Sequence, residues 1–352
     1  MKQYKILAIS ALFFLLLAAI LIVFFVQSMP VSPQNGSPIC RIEIHKGETA
    51  QSAAYKLKAL DIIKSPRLFY AAARFPSVHF LLTRKAGAFM LKSGYYKLSG
   101  SMTLSEVLDI LSSGKEEYIR VALPEGLTIS KIAARLENAG VCKREDFSAA
   151  AKDSALLADY KIPAESFEGY LFPDTYFFTP STGGKEAVKT MADNFFSHIK
   201  EESEFTHMST ETLNETVILA SVIEREYRRD EEAPLIASVF ANRLKNNIGL
   251  YSCATVEYVI TEVEGRKHPD VITYSDLELI SPYNTYKYVG LPPGAISNPG
   301  MIALKAAAKP AKTDYYYFRL TDAKTGKHVF SKDFSAHIKE GDVFTTKKAL
   351  SN

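Results

Sequence analysis

Ile44-His45-Lys46-Gly47-Glu48-Thr49 returns 79 positions later as Leu123-Pro124-Glu125-Gly126-Leu127-Thr128. At the same offset Ala54 matches Ala133, Leu57 matches Leu136, Ile62 matches Val141 and Lys64 matches Lys143. Each copy reads as a strand, a Gly turn, an amphipathic helix and a short apolar strand or turn. In the second copy Ile129, Ile132, Ala133 and Leu136 form a stripe at helical spacing, with Thr128 as its N-cap. Two copies are too few for a solenoid, so the pattern predicts paired small α+β modules. Between them, Lys92–Leu98 reads as a strand. Met102–Leu111 reads as a helix that Gly114 terminates.

Upstream, Ile6–Val26 reads ILAISALFFLLLAAILIVFFV, 21 residues without a charge. As an α-helix this run spans roughly 30 Å, the hydrocarbon thickness of a bilayer. A cleavable signal peptide has a shorter apolar region, about 7–15 residues, with a small-residue site after it. Val26-Gln27-Ser28-Met29-Pro30 offers no such site. Lys2 and Lys5 precede the run and no Lys or Arg follows until Arg41. The positive-inside rule therefore predicts a cytoplasmic N-terminus (1–5), a single transmembrane helix (6–26) and an extracytoplasmic remainder. Residues 27–40, rich in Pro, Ser, Gln and Gly, read as a flexible stalk.

The rest of the 352 residues is globular in composition, at 47% hydrophobic and 23% charged overall, which excludes a disordered chain. The net charge of +3 gives no electrostatic case for nucleic acid. Three cysteines without a CxxC and seven histidines without an HExxH predict neither a disulfide framework nor a metal site. From Ser166 the character changes. Phe167–Phe178 (FEGYLFPDTYFF) is dense in rings and broken by Gly and Pro, and reads as strand-turn-strand whose rings serve the core. Lys185–Ile199 is helical, Glu211–Arg228 carries the longest helical signal, and a further helix covers Ala233–Leu244. Asp230, Glu231 and Glu232 suit that helix's N-terminus. From Tyr251 onward, turn signals predict mixed loops and strands.

The apolar run Val217–Ile223 leads straight into Glu224. On helical spacing Val217, Ala220, Ser221 and Glu224 share a face, which puts a carboxyl at the end of a buried helix beside small side chains. Desolvation raises a carboxyl pKa toward neutrality, which suits a general acid. The bland alternative is surface pairing of Glu224 and Glu226 with Arg225, Arg228 or Arg229. Glu226 points about 200° away on an ideal helix and reads as a structural acid. Tyr283, Asn284 and Tyr286 offer rings and an amide to a sugar, or a structural turn. Ser252 and Thr255 offer hydroxyls to a ligand, or to backbone in a turn. Asn298, before Pro299-Gly300, reads as a turn residue. Cys253 has no His near it in sequence and is not read as a nucleophile.

Leu219–Glu226 (LASVIERE) and Ala237–Leu244 (ASVFANRL) together resemble the signature of the MltG/YceG-like endolytic murein transglycosylases. So do Glu168–Tyr176 (EGYLFPDTY), Ser281–Tyr286 (SPYNTY), Gly290–Gly294 (GLPPG), Ile296–Gly300 (ISNPG) and His328–Ser331 (HVFS), in the family's order over about 42–340. The resemblance implies a membrane-anchored enzyme that cuts the β-1,4 bond between N-acetylmuramic acid and N-acetylglucosamine in nascent peptidoglycan, leaving a 1,6-anhydro end. It implies Glu224 as the catalytic acid, no cofactor, and work beside glycan-polymerising synthases of the cell-wall machinery at the cell (inner) membrane, the catalytic domain lying outside the cytoplasm, in a periplasm or on the outer face of a single-membrane cell. Ser252, Thr255, Tyr283, Asn284, Tyr286 and Glu226 are the candidate substrate contacts. Where members commonly read Leu-Gln-Ser/Thr-Asp-Pro-Thr-Val, this chain has Leu250-Tyr251-Ser252-Cys253-Ala254-Thr255-Val256, read here as a strand. The duplicated modules resemble LysM-type glycan-binding units.

The expected organisation is α+β: the anchor and stalk, a LysM-like region over 41–150, a mixed α/β catalytic domain over 151–345 and a tail over 346–352. The competing reading is a non-catalytic, membrane-tethered peptidoglycan-binding scaffold. A pyridoxal-phosphate lyase would need a Gly-rich phosphate cradle that is absent from the sequence.

Overall fold

An apolar helix, α1 (Lys2–Ser28), opens the chain, and its Ser10–Ser28 stretch is long and apolar enough to cross a membrane. The structure, a computed structural model, describes residues 2–32, 38–114, 117–322 and 324–339. The chain is mixed helix and sheet and divides into two compact units between Tyr118 and Ile119. The expected glycan-binding span 41–150 is thus shared between the two units, because the second repeat buries its stripe in the second unit's core. Part of the expected stalk (33–37) and the tail from 340 onward lie outside the described residues. The ends of the stalk differ from expectation: α1 runs on to Ser28, and Ile39 and Cys40 already belong to a strand.

In the first unit β1 (Ile39–Ile44) leads through a turn at Gly47 (φ +83°) to Thr49. The Thr49 hydroxyl accepts the Ser52 N–H and caps α2 (Ala50–Ala59). Then follow α3 (Pro66–Arg74), α4 (Pro76–Thr83) and β2 (Gly94–Ser99), which pairs antiparallel with β1. The unit ends with α5 (Leu104–Ser113), closed by a Thr103/Glu106 capping box and by Gly114.

The second unit repeats this plan. β3 (Ile119–Leu123) leads through Gly126 (φ +73°) to Thr128, which caps α6 (Ile129–Ala139). The left-handed backbone at Gly47 and Gly126 is one that a side chain would strain, so the glycine recurs in both turns. α7 (Arg144–Ala150), α8 (Ser154–Asp159) and β4 (Asp174–Phe178) complete the copy, with β4 antiparallel to β3. The duplication therefore reaches further than sequence matching shows. Tyr96 on β2 and Tyr176 on β4 are both buried. Each donates its hydroxyl to the carbonyl four residues upstream, Lys92 at 2.9 Å and Phe172 at 2.6 Å.

Beyond this copy come α9 (Gly184–Glu201), α10 (Thr210–Ile223), α11 (Ala233–Lys245), α12 (Cys253–Tyr258) and α13 (Tyr274–Leu277). α14 (Met301–Ala308), the hairpin β5 (Tyr317–Asp322) and β6 (Lys327–Ser331), and α15 (Phe334–Lys339) follow. Three local expectations are corrected. The helix expected over Glu211–Arg228 stops at Ile223, where Arg225 N–H and Glu226 N–H bond three residues back, to Val222 and Ile223. Only Asp174–Phe178 of the aromatic stretch is a strand, because Asn298 captures the Gly169 and Leu171 N–H groups that a ladder would need. Tyr251–Ala254 is not a strand: Tyr251 has φ +51° and α12 begins at Cys253.

One hydrophobic core joins α6, α9, α10, α11 and α14. Phe147, Phe167, Phe195 and Phe240 are fully buried in it, each contributing about 1.5–3 kcal/mol by leaving water. Against this core the end of α10 is fixed.

Candidate active site

Val217, Ala220 and Ser221 of α10 face the interior of the fold with no exposed surface. The room beside these small side chains is filled by the 295–300 segment. Ile296 N–H donates to Ser221 Oγ at 3.0 Å, and Ser297 Oγ donates to the Ser221 carbonyl at 3.0 Å. The same segment runs past the helix end, where Glu224 is the C-cap. Gly300 N–H donates to Glu224 Oε2 at 2.9 Å, and the Tyr227 hydroxyl lies 3.5 Å from both carboxyl oxygens.

Burial pushes the Glu224 carboxyl up. The Gly300 N–H opposes this by favouring the charged form, and neighbouring Glu125 adds to the rise, leaving it at about 7. Such a group donates and accepts a proton near neutrality with nearly equal ease.

Asn298 ties three segments together around this carboxyl. Its Oδ1 accepts Gly169 N–H and Leu171 N–H, both at 2.9 Å. Its Nδ2 donates to the Leu127 carbonyl at 3.0 Å and to Glu168 Oε1 at 2.8 Å. Glu168 also accepts Ile129 N–H on both oxygens, and burial drives its pKa up to about 8.

Glu226 turns elsewhere. Ser252 Oγ donates to it, and burial pushes its carboxyl up. It lines a cavity of about 560 Å³ with Arg243, Tyr251, Cys253, Tyr286 and His328. Tyr286 hydroxyl lies 3.1 Å from Cys253 Sγ. Tyr283 lines a different hollow, with Glu165, Glu168 and Pro293, and packs against Tyr258 at 5.0 Å. Thr255 and Asn284 are fully buried. Thr255 Oγ1 bonds the Ser252 carbonyl and Thr285, and Asn284 Nδ2 donates to the Leu277 and Leu279 carbonyls. The candidate contacts thus fall at two hollows, Tyr283 at one and Glu226 and Tyr286 at the other, with Ser252 buried behind Glu226, while Thr255 and Asn284 knit the loop between them.

Sequence reading missed Glu125, and took Asn298 for a turn residue. The available signal for Glu125 was the repeat itself: the aligned position of the first copy holds Lys46. Among the described residues no group of three or more His, Cys, Asp or Glu is placed to hold a metal ion.

The YceG-like family matches residues 42–342. An endolytic murein transglycosylase of Bacillus subtilis (strain 168) is 31% identical over 335 residues, covering 91% of this chain and 88% of the relative. A protein of the same name from Streptococcus pneumoniae serotype 2 (strain D39) is 27% identical, with the match covering 86% of this chain and 58% of that longer relative. A crystal structure of a YceG-like protein from Listeria monocytogenes superposes with a TM-score of 0.56 at 30% identity, over 87% of this chain and all of that one. With a family match over most of its length, the chain belongs to the YceG-like family.

Proposed function

We propose that the chain is a lytic transglycosylase that cuts the β-1,4 bond between N-acetylmuramic acid and N-acetylglucosamine in peptidoglycan strands, with Glu224 as its acid and base. The observation that carries this reading is the Glu224 carboxyl, half-buried at the end of α10 and held by the Gly300 N–H. In this mechanism Glu224 first protonates the leaving glycosidic oxygen. The carboxylate it becomes is the form that Gly300 N–H stabilises, and it takes the proton from the muramic acid 6-hydroxyl as that oxygen closes on C1. One carboxyl serves both steps because the nucleophile belongs to the substrate, whereas hydrolysis ordinarily uses two. An intramolecular nucleophile also supplies high effective molarity.

The apolar Ser10–Ser28 helix supports a single-pass anchor, with Lys2 and Lys5 on the cytoplasmic side. The first copy of the repeat, free of a comparable carboxyl, suits glycan positioning. Incubating the full chain with glycan strands and reading the ends by mass spectrometry tests the proposal. Anhydro ends that vanish in Glu224→Gln support it. Strand binding without cleavage by the wild type gives the scaffold reading instead.

A further inference from the structure

The repeat's second turn carries an acid that the mechanism above does not use. Glu125 lies over Gly300: a Cβ built on Gly300 would sit 2.7 Å from Glu125 Cγ and 3.5 Å from its Oε1. Gly300 is also the residue whose N–H binds Glu224, so two carboxyl side chains flank one glycine. The turn itself abuts Glu224, since a Cβ on Gly126 would lie 3.7 Å from Glu224 Cγ. Its placement is fixed by backbone bonds to the same segment, Gly126 N–H to the Asn298 carbonyl and Asn298 N–H to the Leu127 carbonyl, both 2.9 Å.

We propose that Glu125 is a positioning carboxylate for Glu224, holding it protonated until the leaving oxygen takes the proton and making it the stronger base afterwards. The proposal rests on the reading of Glu224 as acid and base. Like charges in one site disfavour each other's ionisation. Glu125 is exposed and Glu224 half-buried, so ionisation costs more at Glu224 and the proton resides there. The other groups facing Glu224 are Tyr227, whose hydroxyl donates to it, and Asp230, whose charge acts in the same sense as Glu125. Arg225, adjacent in sequence, is turned to Glu257 at 2.7 Å, and Glu257 also meets His268 at 2.9 Å, so that cation is occupied. At the position of Glu125 the first copy of the repeat holds Lys46.

The test uses the full chain and Glu125→Gln, with Glu125→Asp as the conservative partner. Two quantities are read: the pH profile of kcat/KM on glycan strands, and the titration of the Glu224 carboxyl by its 13C resonance, identified as the one missing in Glu224→Gln. In Glu125→Gln the basic limb should move roughly one pH unit lower, with activity recovered at lower pH, KM unchanged, and the carboxyl titration moved alike. Glu125→Asp should restore most of both. A uniform loss at every pH, or an unmoved Glu224 titration, overturns the proposal. The titration needs no turnover, so it decides the role of Glu125 even if the chain proves not to cleave glycan.

Discussion

Asn298 Nδ2 donates to Glu168 Oε1 at 2.8 Å, between two side chains that are 1% and 7% exposed. Four segments distant in sequence, around residues 127, 168, 221 and 300, meet through this bond and the Ser221 contacts beside it. The carboxyl assigned to catalysis is thereby fixed by neighbours that never touch it.

Asn298→Ala should strip partners from the buried Gly169 and Leu171 N–H groups, while the Leu127 carbonyl keeps the backbone N–H of residue 298. Orphaned buried polar groups cost about 1–3 kcal/mol each before relaxation, so a loss of about 2–4 kcal/mol is expected. Denaturant melts measure it, and cleavage should fall alongside as Gly300 loses its fixed place.

Glu168 links stability to pH. Its folded pKa, about 8, stands above the ordinary 4.5, so the folded chain holds a proton that the unfolded chain has released. Stability from this group is then fullest below about 4.5 and declines as pH rises to about 8. Glu224 and Glu226 are raised too and act in the same sense. Glu168→Gln should flatten the decline by on the order of 3 kcal/mol, which melting temperatures taken across that range would show. An unchanged slope would place the proton elsewhere.

Glu224→Gln keeps the size of the side chain and its acceptor for Gly300 N–H but cannot exchange the reaction's proton. A loss of at least ~100-fold in cleavage with no fall in melting temperature is expected. Glu226→Gln, which retains an acceptor for Ser252, should lose much less. The reverse ranking would move the catalytic assignment to Glu226 and its cavity.

Glu232 and His328 form a buried pair, Nδ1 to Oε2 at 2.7 Å, with His328 N–H also donating to the carboxylate at 3.2 Å. Removing one partner leaves the other without compensation. Glu232→Ala, which takes the partner from the His328 N–H and Nδ1, should cost about 1–3 kcal/mol for each orphaned group, read by chemical denaturation.

What the sequence disclosed was local. The Thr128 cap, the Ile129–Leu136 stripe and the helices α9 and α11 all follow from spacing and capping chemistry within a dozen residues. The end of α10 does not, because the helical pattern runs on through Arg228 while the chain turns aside at Glu224, where a glycine 76 positions later binds it. Glu232 read as an acid complementing a helix N-terminus, but its partner His328 lies 96 positions on. Asn298 read as a turn former for the same reason: its four partners are far away in sequence. Family resemblance selected Glu224. It gave no view of Glu125, whose neighbour is a backbone glycine rather than a motif.

The strand pairing also orders events in time. Ile44 meets Gly94 and Leu123 meets Asp174, so these ladders join strands about fifty residues apart, whereas β5 and β6 form a hairpin around Gly326. Closing a long loop requires its entropy to be surrendered before any ladder bond forms, while hairpins close within microseconds. During refolding α6–α8 and the β5–β6 hairpin should therefore gain protection against hydrogen exchange first, and β3–β4 last. The turn bearing Glu125 follows β3 directly, so the site matures with the slowest ladder, and a chain caught midway would display a helical core without a competent acid.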